Sequence, residues 1–172
     1  MMYAGIGSRQ SPSEMCAYMA QLASFLESKG LILRSGGAAG ADLAFEAGVK
    51  DPTKKVIYTA HSRLSQADWQ YGFDHVSWFH PAPDKVLGSK WARVMARNTF
   101  QVLGTPSEQA AGQPHSAFVV CWTPDGAEKV TTRATGGTGQ AIRIAAHYGI
   151  PVFNLRVHDA VDRLDSFLAS RA

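Results

Sequence analysis

Glycine is clustered along this chain, and the positions of the clusters constrain the fold more than any other feature of the sequence. The 16 glycines include three groups, within residues 5–7, 36–40 and 136–139. Each group lies at the end of a short apolar segment or just before a stretch with helical periodicity. Glycines at such positions are typical of the strand-to-helix turns of an α/β sheet.

Five short apolar segments are predicted strands, and they alternate with helical patterns along the chain. They lie within residues 2–6, 31–35, 55–58, 117–122 and 151–154. The fourth is apolar without interruption, as in strands that are buried on both faces of a parallel sheet. The sequence therefore predicts one α/β domain over residues 1–172. We expect a Rossmann-like three-layer fold with an open, mainly parallel five-stranded sheet and helices on both faces.

Residues 61–83 fit this alternation least well. They contain tryptophans and histidines without a clear helical or strand period. We therefore expect an irregular insertion or a lid at this place in the otherwise regular domain.

The composition is that of an ordinary globular protein with a small positive charge. Apolar residues make up 45% of the chain, and 17 lysines and arginines against 14 aspartates and glutamates give a net charge of +3. This surplus suits an anionic small ligand but is too small to predict a protein that coats DNA. Nucleic acid is therefore not expected as a partner. The apolar runs are too short for a membrane span, so a cytoplasmic protein without a membrane partner is expected.

The three glycine clusters would meet at one edge of the predicted sheet, where ligands of open parallel sheets bind. Backbone N–H groups in glycine turns and at helix N-termini bind anions, so the clusters together predict a phosphate site. The first cluster lacks the third glycine of the dinucleotide fingerprint, and the second contains no Gly-Lys-Ser/Thr. No NAD, P-loop nucleotide or other cofactor is therefore predicted. For each cluster alone, a tight turn without a ligand is the alternative.

Three motifs resemble those of a known superfamily. They are Gly5-Ile-Gly-Ser-Arg9, Leu33-Arg-Ser-Gly-Gly-Ala-Ala-Gly-Ala-Asp42 and Gly136-Gly-Thr-Gly139. They resemble the SLOG superfamily of Rossmann-like proteins, which includes the DNA-processing protein A family and the LOG phosphoribohydrolases. The second motif is closest to DNA-processing protein A. The resemblance covers nearly the whole chain and is weakest over residues 61–83. It implies the fold, a nucleotide-type pocket and a homo-oligomer.

One position departs from the LOG pattern. LOG enzymes carry a glutamate after their glycine motif, which serves in cleaving the N-glycosidic bond of a nucleoside 5′-monophosphate. In this chain Arg143 stands at that position. An arginine does not act as a general base at neutral pH, so LOG activity by the usual residues is not expected. Arg143 is instead a candidate for a phosphate contact.

The predicted phosphate-binding residues come from the clusters, from polar residues beside them and from the resemblance. Ser8 and Arg9 offer a hydroxyl and a guanidinium directly after the first cluster. Arg97 and Asn98 match the family pattern on a basic helical segment, for which a solvated face is the alternative. The full set is Gly7, Ser8, Arg9, Ser35, Gly36, Gly37, Gly40, Arg97, Asn98, Gly136, Gly137, Thr138, Gly139 and Arg143.

Three further residues are candidates for contacting the base and for chemistry. Trp122 ends the fourth strand and is the candidate for stacking on a base, with core packing as the alternative. Asp42 and Glu46 lie four residues apart at the start of a helix and so share one face. Glu46 is the preferred acid–base group because its side chain is longer. Helix capping by Asp42 and solvation of Glu46 are the alternatives.

These observations favour a protein that binds a nucleotide or a nucleotide-derived phosphate ligand. Whether it is also an enzyme is open. The alternative is a hydrolase that cleaves the N-glycosidic bond of a nucleoside 5′-monophosphate with Glu46 or Asp42. Binding of single-stranded DNA is a weaker alternative, because the charge surplus is small and no basic stripe is interleaved with aromatic residues. The six histidines show no metal-ligand spacing, so no metal is predicted.

Overall fold

A five-stranded, all-parallel sheet forms the centre of the computed structural model, which describes residues 1–171. The strands are β1 (Met2–Gly5), β2 (Ile32–Ser35), β3 (Lys55–Ile57), β4 (Val119–Cys121) and β5 (Val152–Asn154). Their order in the sheet is β3-β2-β1-β4-β5. Ala4 in β1 is paired with Arg34 of β2 on one side and Val119 of β4 on the other. The predicted α/β fold class is thus confirmed.

Helices cover both faces of this sheet. Within residues 1–171 they are α1 (Ser13–Ser28), α2 (Ala41–Gly48), α3 (Gln66–Phe79), α4 (Pro83–Leu87), α5 (Ala92–Leu103), α6 (Pro106–Ala110), α7 (Thr138–His147) and α8 (Ala160–Ala169). Helices α1, α2 and α8 pack on one face, and α5 and α7 pack on the other. Because the chain changes faces between β1 and β4, the sheet has its topological switch point there.

Two apolar layers hold the helices to the sheet. On the first face, Met19 of α1 and Phe45 of α2 pack with Leu164 of α8 around Phe118, the residue directly before β4. On the second face, Leu103 of α5 and residues of α7 such as Ile142 cover the opposite side of the strands. All of these side chains are buried. Complete burial of a large apolar side chain contributes roughly 1.5–3 kcal/mol, so these layers hold the helices against the sheet.

Residues 61–83 differ from the expected irregular segment, because they contain the regular helix α3. The helix begins after Ser65, whose hydroxyl accepts a hydrogen bond from the backbone N–H of Asp68 at 3.0 Å. Its buried positions include Gly72 and His75, which do not register as apolar in a sequence pattern. Gly72 allows α3 to approach Phe100 of α5 closely, since a Cβ there would lie 2.9 Å from that ring. The buried positions of α3 therefore have helical spacing, but Gly72 and His75 are not apolar and hide this period in the sequence.

Candidate functional site

A cleft lies where β1 and β4 end, at the switch point of the sheet. Its volume is about 460 Å³. Its walls are the turn after β1, the start of α2, one face of α5 and the loop that leads into α7. The cleft therefore brings together glycines of the first and third clusters with Ala38, which lies among the glycines of the second.

The first wall consists of two turns that are in backbone contact with each other. In the turn after β1, the N–H of Ser8 donates to the carbonyl of Trp122 at 3.0 Å, and the Ser8 carbonyl accepts from Ala41 at 3.4 Å. Gly40, just before α2, has a φ of 82°. A Cβ on Gly40 would lie 2.6 Å from the carbonyl oxygen of Ser8. Only glycine allows the two turns to approach this closely.

The side chain of Asp42 is hydrogen-bonded to the turn before α2. Its carboxylate accepts a hydrogen bond from the backbone N–H of Ala38 at 3.3 Å, and the N–H of Gly7 also points to it. The side chain is buried at the positive end of α2, which favours a carboxylate. Burial nevertheless raises the pKa of Asp42 to about 6, against the opposing effect of the Arg97 guanidinium. Asp42 is therefore the cleft residue that titrates nearest to neutral pH.

Arg97 and Asn98 connect α5 to the glycine turns. The Arg97 guanidinium donates to the carbonyl of Gly36 and, at 3.4 Å, to that of Tyr58. Burial lowers the pKa of Arg97, and the Asp42 carboxylate opposes this effect. The amide of Asn98 donates to the carbonyl of Gly137 at 3.4 Å. Both side chains line the cleft, and both also hold its walls together.

The second wall is the turn before α7. Gly136 has a φ of 70°, whereas Gly137 has ordinary helical angles and free space where a Cβ would lie. Gly137 and Thr138 open α7, so the N-terminal end of that helix faces the cleft. A helix N-terminus presents unpaired N–H groups and a partial positive charge, both of which suit an anion.

The mouth of the cleft carries an exposed cation and an exposed aromatic ring. Arg9 is exposed at the turn after β1. Trp91, just before α5, is 50% exposed, and Val94 and Met95 continue the same apolar strip on the next turn. The Nζ atom of Lys90 lies 5.2 Å from the centre of the Trp91 ring. Sequence reasoning missed Trp91, although an aromatic residue between a lysine and a basic helix was a usable signal.

The structure brings only part of the predicted set to the cleft. Gly7, Ser8, Arg9, Asp42, Arg97, Asn98, Gly136, Gly137 and Thr138 line it, whereas Ser35, Gly36, Gly37, Gly40, Glu46, Trp122, Gly139 and Arg143 do not. Gly36 and Gly40 do not reach the cleft surface, but their lack of a side chain allows the turns to pack closely. The hydroxyl of Ser35 is buried and donates to the carbonyl of Gly5 at 2.6 Å.

Three of the residues outside the lining were given specific roles by the sequence. Glu46 lies in a separate groove beside Lys50 and Lys55, because one helical turn carries it about 6 Å along α2, away from the cleft. Trp122 packs against the core. The Arg143 guanidinium is already hydrogen-bonded within the protein. It donates to the backbone carbonyl of Phe79, the hydroxyl of Thr131 and the side-chain carbonyl of Gln140.

Neither a metal site nor a membrane span is found in the described part of the chain. Among residues 1–171, no three histidine, cysteine, aspartate or glutamate side chains are grouped as a metal ion would require. In the same residues, none of the helices has the length and apolar character needed to cross a membrane.

Comparison with known proteins supports the fold. No protein-family model matches the chain, and no curated protein matches it in sequence. Among solved structures, the chain is similar to DNA processing protein A from Helicobacter pylori, which has a unique single-stranded DNA binding mode. The TM-score is 0.54 and the sequence identity is 19%, over 96% of this chain and 72% of that chain. This likeness shows a Rossmann-like fold of the kind that the sequence motifs implied.

The same comparison corrects one expectation. The small net charge of +3 led us to expect no nucleic-acid partner, but a protein of this fold binds single-stranded DNA. Net charge averages over the whole surface, whereas binding depends on the charges near the site. A small charge surplus therefore does not exclude nucleic acid as a partner of this fold.

Proposed function

We propose that the cleft binds a nucleotide through its phosphate group, and that the nucleotide belongs to a single strand of nucleic acid. The observation that carries this proposal is the pairing of two kinds of surface in one cleft. One part offers the N-terminal end of α7 and the Arg9 guanidinium, and the other offers the exposed ring of Trp91.

The phosphate belongs between the two walls. The turn at Gly7 and Ser8, which carries Arg9 next to it, and the N-terminal end of α7 both line the cleft. Arg9 is the cleft guanidinium that is exposed and takes no part in the hydrogen bonds that hold the walls together, whereas Arg97 is already bonded to Gly36. A guanidinium and backbone N–H groups are the donors that proteins use most for phosphate.

The base belongs on the apolar strip of α5. Trp91 presents half of its surface to solvent, and Val94 and Met95 extend the strip into the cleft. Stacking of a base on an aromatic side chain contributes about 1–3 kcal/mol and tolerates any base sequence. An unpaired base can reach this ring, whereas a base inside a duplex has both faces covered by its neighbours.

Cations on both sides of the cleft favour a strand over a free nucleotide. Lys90 is exposed beside Trp91, and Arg133 is exposed next to the turn before α7. A nucleoside 5′-monophosphate has a single phosphate group and therefore leaves these side chains unused. A strand that passes through the cleft has further phosphates on either side, which these cations can neutralise.

Fluorescence anisotropy with a labelled oligothymidylate tests this proposal. We expect binding that weakens steeply with salt, and the Arg9→Gln variant should bind about tenfold more weakly with a salt slope smaller by about one. Lys50→Gln, which removes an exposed lysine outside the cleft, is the matched control and should bind like the wild type. Equal loss in both variants, or tighter binding of thymidine 5′-monophosphate than of the oligonucleotide, would contradict the proposal.

A second candidate function is hydrolysis of the N-glycosidic bond of a nucleotide. It is favoured by one observation, the buried carboxyl of Asp42 in the cleft with a pKa raised to about 6. A carboxyl that titrates near neutral pH is suited to general acid–base work. Chromatography after incubation with nucleoside 5′-monophosphates should then show free base, and Asp42→Asn should abolish its release. Intact nucleotide after prolonged incubation excludes this candidate.

A further inference from the structure

The loop between β4 and α7 contains a side-chain network that the binding proposal does not use. Asp125, near the start of the loop, is exposed at the surface, yet both of its carboxylate oxygens are engaged. One oxygen accepts from the hydroxyl of Thr123 at 2.9 Å and from the N–H of Ala127 at 3.3 Å. The other accepts from the hydroxyls of Thr132, at 2.7 Å, and of Thr135. One carboxylate thus gathers three hydroxyls across the loop.

The network continues from Asp125 toward the cleft. The hydroxyl oxygen of Thr135 also accepts from the N–H of Thr132 at 2.9 Å, and that of Thr132 accepts from the N–H of Ala134 at 3.2 Å. Thr135 is 2% exposed and directly precedes Gly136. Ala134, Thr135 and Gly136 all line the cleft. The bonds from Asp125 therefore end on the residues that shape the second wall.

The network is also fixed to the sheet at its other end. The side-chain amide of Asn154, in the edge strand β5, donates to the hydroxyl of Thr123 at 2.6 Å and to the carbonyl of Ala127 at 2.8 Å. Asn154 and Thr123 are both fully buried. A rigid strand, a buried amide and a surface carboxylate thus form one continuous path to the turn before α7.

Asp125 is ionised at neutral pH. Burial alone would raise its pKa, but the hydroxyl bonds from Thr135, Thr132 and Thr123 outweigh that effect and lower the pKa to about 2. Hydrogen bonds to an ionised acceptor are stronger than those between neutral groups. The bonds that Asp125 accepts are therefore maintained at neutral pH.

We infer that Asp125 is a positioning residue, which holds residues 134–137 as the second wall of the cleft through the hydroxyls of Thr132 and Thr135. Its effect on ligand affinity rests on the proposed function, whereas its effect on the loop does not. Asp125 does not line the cleft itself. Its removal should therefore change the geometry of the wall and not a direct ligand contact.

Amide hydrogen exchange on the unliganded protein tests the inference without any ligand. Asp125→Ala should speed amide exchange at Ala127, Thr132 and Ala134 by about tenfold or more. The N–H of Ala127 loses its acceptor, and the threonine hydroxyls that accept from the other two N–H groups are no longer held by the carboxylate. Exchange within β4 and β5 should stay slow. Asp162→Asn, which changes an exposed aspartate on α8, is the control. Unchanged exchange in the Asp125→Ala variant overturns the inference.

A matched pair of variants at Thr135 separates the hydroxyl from the bulk of the side chain. Thr135→Val keeps the shape and removes the hydroxyl, whereas Thr135→Ser keeps the hydroxyl. With labelled oligothymidylate, we expect affinity to fall about tenfold in Thr135→Val and Asp125→Ala, and to be retained in Thr135→Ser. If the loop loosens while oligonucleotide affinity stays at the wild-type level, the positioning role is overturned. If the wild type binds no oligonucleotide but the loop loosens as expected, the proposed function fails and the positioning of the loop stands.

Discussion

The two walls of the cleft are built by different means. The turns after β1 and before α2 touch through backbone atoms, with the glycine at position 40 pressed against the carbonyl of Ser8. The turn before α7 is held by side-chain hydroxyls on Asp125, and Gly137 within it has open space around its Cβ position. The first wall therefore tolerates no side chain at position 40, whereas the second depends on hydrogen bonds that a ligand or a substitution can alter.

The largest effect on stability is expected from a substitution at Gly40 in the first wall. Gly40→Ala forces a side chain into a φ of 82° and within 2.6 Å of the Ser8 carbonyl, so we expect a loss of about 3 kcal/mol in the free energy of unfolding. Gly137→Ala is the matched change in the second wall and should leave stability equal or slightly higher, because the position is helical and open. Urea denaturation of both variants measures the difference. Equal destabilisation of the two variants contradicts the comparison.

The next effect concerns the buried carboxyl under the first wall. The pKa of Asp42 is raised from 3.8 to about 6, so the fold favours its neutral form. That contribution to stability is fully present below about pH 4 and is lost as the pH rises through 6. Asp42→Asn should therefore be more stable than the wild type by up to about 3 kcal/mol at pH 7.5 and equal to it at pH 4. Denaturation at the two pH values checks this, and a less stable variant at pH 7.5 refutes the raised pKa.

A smaller effect tests the apolar strip on α5. Trp91→Ala should weaken oligothymidylate binding by about tenfold with little change in stability, since half of the ring is already exposed. Trp78→Ala is the control, because Trp78 is 64% exposed but does not line the cleft. Titrations of both variants under the same salt give the comparison. Wild-type affinity in Trp91→Ala would falsify the role of the ring.

No effect on binding is expected from a substitution at Glu46. Glu46 lies one turn beyond Asp42 on α2 but in the groove with Lys50 and Lys55. Glu46→Gln should therefore bind oligothymidylate as the wild type does, and any release of base should also be unchanged. A loss of either property in this variant contradicts the position of Glu46 outside the cleft.

The fold could be predicted from the sequence because its signals are local. The apolar strands and the glycine clusters at their ends reflect backbone requirements that no distant residue can replace. Helix α3 was missed because Gly72 and His75 occupy buried positions where the pattern requires apolar residues. Tertiary contacts, here against α5 and Tyr148, made these residue types acceptable.

The site was predictable only where the backbone builds it. Gly7 and Gly136 line the cleft as the clusters implied, and Asp42 lies there because its helix begins at the cleft. The direction of a side chain was not predictable from spacing. Trp122 packs against the core and Trp91 lines the cleft, a difference that depends on tertiary packing and not on spacing along the chain. The Asp125 network was equally hidden, since its hydroxyls come from separate parts of a loop without a period.

The central claim is that both walls of the cleft contact the same bound ligand. Backbone amide resonances recorded during titration with a short oligothymidylate test it directly. The account predicts that the amides of Gly7 and Ser8 in the first wall and of Gly137 and Thr138 in the second shift together with one affinity. Shifts confined to one wall, or centred on the groove around Glu46 and Lys50, contradict it.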